Sequence, residues 1–123
     1  MFMKRLLSFK YAFKGAQDLF RSQPNARIHV VLAIAVLGMG LWLGLTGTEW
    51  AIISLCIFGV LAAEAFNTAL EYLTDLVSPE YHVLAGKAKD AAAAAVLIFA
   101  IGTALAGWCI LGPKIWLRML NFF

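Results

Sequence analysis

The sequence predicts an all-α integral membrane protein in which an N-terminal amphipathic surface helix precedes three transmembrane helices. Three observations carry this. Of 123 residues, 63% are hydrophobic, and the mean hydropathy is +0.84, far above what a water-soluble domain of this size carries. Three apolar stretches stand at 28–45, 50–76 and 91–111, each close to the roughly 20 residues that a helix needs to cross a bilayer. The first 25 residues alternate apolar and basic positions at helical spacing. The chain therefore reads as one membrane-embedded domain over 1–123.

In the N-terminal segment Leu6, Phe9, Phe13, Ala16 and Phe20 share one stripe, while Lys10, Lys14, Gln17 and Arg21 run beside it. Such a helix lies in the headgroup plane, with its apolar side in the lipid and its cations among anionic headgroups. On this segment alone a simple membrane anchor fits as well. A cleaved signal peptide does not, because the first apolar run begins only at residue 28 and no A-x-A-like site follows it. Pro24, in RSQPNAR, is placed to turn the chain into the first span.

The first span, 28–45, is interrupted only by His29, which reads as an interfacial or helix-packing residue rather than a ligand. Lysine and arginine set the expected orientation. Six of them precede this span, the connection 46–49 has none, Lys87 and Lys89 fall in the second connection, and Lys114 and Arg118 follow the third span. By that count the N-terminus and the second connection are cytoplasmic and the C-terminus faces outward. The formal net charge of +3 is explained by this topology, so nucleic acid is not an expected partner. Cys56 and Cys109 lie in apolar runs with no metal-ligand spacing, which argues against a disulfide framework or a zinc site. Trp42, Trp50, Trp108 and Trp116 lie at or near span ends, as an aromatic belt requires.

The second span, 50–76, ends in EAFNTALEYLTD. At 100° per residue Glu64, Asn67, Glu71 and Asp75 fall within about 80° of one another, one polar stripe on one helix face. Glu64 lies roughly 21 Å along the helix from Trp50, still inside a ~30 Å hydrocarbon core. An ionised carboxylate there costs on the order of 2.5–3.5 kcal/mol at the membrane centre. Polar residues rimming a helix end account for Asp75 and Glu71; Glu64 and Asn67 need a partner or a task.

The second connection, LVSPEYHVLAGKAKD, adds Glu80, Tyr81, His82, Lys87, Lys89 and Asp90 near those carboxylates. Acid groups for Mg²⁺ and a lysine for phosphate charge are the parts that phosphoryl transfer needs. GKAKD is not a Walker loop, since no GxxxxGK[ST] occurs in the chain, so spacing alone suggests a nucleotide without fixing one. In the third span, 91–111, the alanines at 91–95 have no chemistry and let helices approach closely.

ExxNTALExxxD at 64–75, SPEYH at 78–82 and the AKD that opens the alanine run at 88–90 resemble the prokaryotic diacylglycerol kinase family, which includes undecaprenol kinases. SFKYAFKG at 8–15 and NARIH at 25–29 are similar to the same family, so the resemblance spans nearly the whole chain. It implies a small homotrimeric inner-membrane enzyme that moves the γ-phosphoryl of MgATP to a lipid alcohol. Glu64 then matches the catalytic base and Glu71 a ligand of the Mg²⁺ carried by ATP. Glu80, Tyr81, His82, Lys89 and Asp90 match nucleotide contacts, as do Tyr11 and Lys4 from the N-terminal segment, and Asn67 and Asp75 match supporting polar positions. Gln23 stands where the family commonly has a second metal-binding glutamate. The rival readings are a small proton- or cation-coupled transporter using Glu64 within the bilayer and a non-catalytic assembly subunit. EYH and KAKD weigh against both, since neither needs nucleotide-type groups just outside the membrane.

Overall fold

The computed structural model describes residues 2–121, with side chains from residue 7. The described residues form four α-helices and no strand: α1 (Phe2–Ser22), α2 (Pro24–Leu43), α3 (Gly47–Val77) and α4 (Val83–Leu120). Three of them, α2, α3 and α4, are long and apolar enough to cross a membrane. This is the all-α, three-span architecture with an N-terminal helix that the sequence predicts.

Each junction follows from local chemistry. Gln23 is the single non-helical residue between α1 and α2, extended at φ −107° and ψ 110°, and Pro24 opens α2. Proline suits that place because its fixed φ is helical and its missing N–H would have no intrahelical partner there. The C-cap of α2 is Gly44, in the left-handed region at φ 67°, with its N–H bonded to the Gly40 carbonyl; a side chain at that φ would be strained. Thr46 caps α3, its hydroxyl accepting from the Glu49 N–H while the Glu49 carboxylate accepts from the Thr46 N–H at 2.7 Å. This reciprocal pair satisfies two donors that a helix start leaves open.

The sequence places the third span at 91–111, yet α4 begins at Val83 and ends at Leu120. Two causes extend it. His82 Nδ1 accepts from the Leu84 N–H at 3.2 Å and caps the start, and the alanine- and lysine-rich 85–95 segment is built of strong helix formers. Lys87, Lys89 and Asp90, read above as part of a connection, therefore stand on the first turns of α4, and the true connection is 78–82. At the other end Pro113 lies inside the helix, where its missing N–H leaves the Cys109 carbonyl without the usual donor four residues on. At about 1.5 Å per residue these 38 residues exceed a ~30 Å core, so α4 projects beyond it.

Helices α3 and α4 pair most extensively, and α2 packs on both. At the end that carries the α2–α3 connection they are pinned by Lys114–Glu49 at 3.1 Å and by Arg118 over the Trp42 ring at 5.3 Å. The apolar core there is Leu45, Ile53 and Leu111. Helix α1 lies against α2 and α3. Tyr72 donates to Asp18 at 2.8 Å, and Leu19 is buried. Phe9 and Phe13, in the apolar stripe, are turned outward at 67% and 76% exposure, free to enter lipid.

Candidate active site

The polar stripe of α3 is built by helical periodicity, so each of its members meets a different neighbour as the helix leaves the core. Glu64 is innermost and only 2% exposed. It lines a cavity of about 330 Å³ between α2, α3 and α4, together with Asn25, His29 and Asn67; α4 contributes only apolar or small side chains, Ala93, Val96, Leu97 and Ala100. Glu64 Oε1 lies 3.4 Å from His29 Nε2. That is ion-pair range but longer than a good hydrogen bond, and Oε1 has no hydrogen-bond partner among the described residues. A buried acceptor without a partner is costly, so this oxygen calls for a donor.

One turn further out, Asn67 Nδ2 donates to Glu71 Oε1 at 2.8 Å, while Asn67 Oδ1 is buried and has no partner. The Thr68 hydroxyl donates to the Glu64 carbonyl at 2.8 Å, which satisfies the hydroxyl within its own helix. Asp75, at the open end of the stripe, forms an ion pair with Lys89 from the start of α4. Both groups of this pair are partly exposed, so water screens it.

A second, shallower cavity of about 150 Å³ lies where α3 and α4 meet the connection. It brings together Asp75, Glu80, Tyr81, His82 and Lys89, five residues that the sequence reading placed at the site. Tyr81 stands out at 89% exposure, and the Ser78 hydroxyl donates to the Glu80 carbonyl, tightening the turn. Because His82 Nδ1 accepts the cap hydrogen bond, the ring proton sits on Nε2, which is left to donate outward. Asp90 is exposed on α4 and does not line this cavity. Tyr11 is 64% exposed on α1 and Gln23 is half-buried at the α1–α2 junction, its side chain making no cap hydrogen bond. Lys4 belongs to α1, but its side chain lies outside the described residues.

Eight of the sequence-read residues thus form two groups, a partly buried one of Glu64, Asn67 and Glu71 on α3 and a surface one of Asp75, Glu80, Tyr81, His82 and Lys89, while Tyr11, Gln23 and Asp90 line neither cavity. Sequence reasoning missed His29 as a site residue, although NARIH was already in view, and missed Asn25 beside it. Their contacts come from α2 crossing α3, which no periodicity within one helix reports. Among the described residues no three of His, Cys, Asp or Glu gather into a metal cluster.

Comparisons with known proteins point one way. A family model described as prokaryotic diacylglycerol kinase matches residues 10–111. The chain is 41% identical over 108 residues to the undecaprenol kinase of Bacillus subtilis, covering 88% of each protein. It is also 41% identical over 111 residues to a diacylglycerol kinase of Synechocystis, where the match covers 89% of this chain and 63% of that protein. With the diacylglycerol kinase of Escherichia coli K12 the identity is 33% over 101 residues, 82% of each.

Proposed function

The chain belongs to the prokaryotic diacylglycerol kinase family and is a lipid kinase; from that premise we propose that it transfers the γ-phosphoryl of MgATP to the primary hydroxyl of undecaprenol. The observation that carries the site is the Glu64 carboxylate, buried on α3 with an unpartnered oxygen in a cavity. A hydroxyl entering that cavity meets an acceptor already desolvated. Glu64 takes the hydroxyl proton as the lipid oxygen bonds to the γ-phosphorus, and the bond from that phosphorus to ADP breaks with its electron pair on ADP.

The nucleotide groups are assigned to the surface cavity. His82 presents Nε2–H, Tyr81 an exposed ring, and Lys89 a cation tethered by Asp75. Glu80 and Asp90, with Tyr11 and Lys4 from α1, complete the assignment by resemblance to the family. Phosphoryl transfer is mostly positioning and charge stabilisation, so a lysine held over the mouth of the site suits it.

Mg²⁺ takes hard oxygen ligands and commonly keeps only one or two carboxylates plus substrate phosphates. The Glu71 carboxylate and the orphaned Asn67 Oδ1 fit that demand, and Gln23 offers an amide oxygen as a third. These residues would hold the ion, which when bound supplies charge neutralisation of the triphosphate.

Undecaprenol and diacylglycerol both present a primary hydroxyl, so the α3 stripe does not choose between them. Identity does not choose either, since it is 41% to a kinase of each name. The match to the undecaprenol kinase covers more of the relative, 88% against 63%, and by analogy alone NARIH, NTALE and SPEYH resemble that branch more. With both lipids competing in one micelle preparation, undecaprenol, or a shorter polyprenol, is expected to give the higher kcat/KM. A clear preference for diacylglycerol reverses the substrate and leaves the kinase standing.

A further inference from the structure

His29 lines two cavities between the spans, and the other side chain they share, Ala100, carries no polar group. On one side is the polar cavity of Glu64, Asn67 and Asn25. On the other is an apolar groove of about 320 Å³ formed by residues such as Leu32, Val36, Ile53, Ile57 and Leu111. The imidazole is largely covered, at 18% side-chain exposure, and its Nε2 faces Glu64 Oε1 at 3.4 Å. Two buried groups on different helices, one a donor and the other an unpartnered acceptor, are a few tenths of an ångström from a hydrogen bond. Such contacts often tighten only when substrate closes the site.

We propose that His29 is the positioning residue for Glu64: its Nε2–H holds Oε1, fixing the carboxylate plane so that Oε2 is presented to the incoming lipid hydroxyl. His29 exchanges no proton with substrate. The O–H bond of the lipid breaks toward Glu64, and the histidine keeps its own proton throughout. The alternatives for holding Glu64 are few. Asn67 already spends an amide hydrogen on Glu71, the Thr68 hydroxyl is bonded to the Glu64 carbonyl, Asn25 lines the cavity without bonding Oε1, and α4 brings only apolar or small side chains. The apolar groove on the far side of the ring removes competing water from the same contact.

This inference rests on the assignment of Glu64 as base, and the test separates the two. Glutamine places an amide N–H where histidine Nε2 stands, whereas asparagine reaches only as far as Nδ1. Turnover is measured by single-turnover transfer from labelled ATP for His29→Gln, His29→Asn, Glu64→Gln and the pair His29→Asn with Glu64→Gln. His29→Asn should lose about tenfold or more in rate with KM for ATP little changed, as expected when a reacting group is misplaced, while His29→Gln stays within roughly threefold of the unaltered enzyme. In the Glu64→Gln background His29→Asn should have no further effect, because a residue acting through another is silent once that other is gone. Equal losses for Asn and Gln, or a full His29 effect persisting without Glu64, would overturn the positioning role alone. Near-normal turnover of Glu64→Gln by itself would overturn the base and this inference with it. Should His29→Asn fail to assemble, His29→Leu takes its place in the cycle.

Discussion

Gln23 stands alone between two helices, extended and half-buried, with a side chain that caps nothing. A junction residue with an uncommitted amide can turn toward a ligand without breaking an existing bond. If it contributes to the Mg²⁺ on ATP, Gln23→Glu replaces a neutral oxygen with an anionic one and should lower the Mg²⁺ concentration for half-maximal rate. An unchanged Mg²⁺ dependence would place residue 23 away from the ion. At this scale the sequence was informative wherever a residue's neighbours lie on its own helix. Glu64, Asn67 and Glu71 were legible because a 3.6-residue period aligns them, and the Asn67–Glu71 bond is that alignment realised. A lone histidine at a span start carries no local signature, so the sequence alone reads His29 as an interfacial or packing residue. Its place beside Glu64 depends on how two helices cross.

The helices are tied together by polar contacts, and Tyr72 on α3 bonds α1. Its hydroxyl donates to Asp18 at 2.8 Å and lies 3.1 Å from the Ser22 oxygen. Gly15, Asp18 and Leu19 form the face of α1 that meets α3, leaving the phenylalanine stripe outward. Tyr72→Phe removes the bond and keeps the ring. A net value of about 1 kcal/mol for such a hydrogen bond predicts amide exchange in α1 faster by about fivefold, with the α3–α4 pair unchanged; equal protection in both proteins would show that packing alone holds α1. Helix existence and order were readable from apolar runs and from Pro24, whereas the ends of α4 were not. A span is recognised by its lipid-facing stretch, but this helix continues into water on the strength of the His82 cap and the alanine-rich turns.

Taken whole, the molecule hides little of its apolar surface: only 11% of the most apolar window of α2 and of α4 is buried, against 28% for α3. Side chains such as Ile34, Leu55 and Phe58 are about two-thirds exposed or more. Those faces suit lipid and, in the homotrimer that the family resemblance implies, neighbouring copies. The lysine and arginine distribution predicts that the 78–82 connection faces the cytoplasm, where ATP is available. With Cys56 and Cys109 replaced by alanine, an impermeant thiol reagent should label Thr48→Cys from outside and Ser78→Cys only from the cytoplasmic side. The reverse labelling would overturn the topology. The proposed role of the buried Glu64 as base is tested most directly by transfer of labelled γ-phosphate from ATP to undecaprenol by purified protein and by its Glu64→Gln variant. Glutamine keeps the shape of the side chain and cannot accept the proton, so turnover should fall by roughly 10²-fold or more with the protein still assembled. Turnover of the variant close to that of the unaltered enzyme would contradict the account.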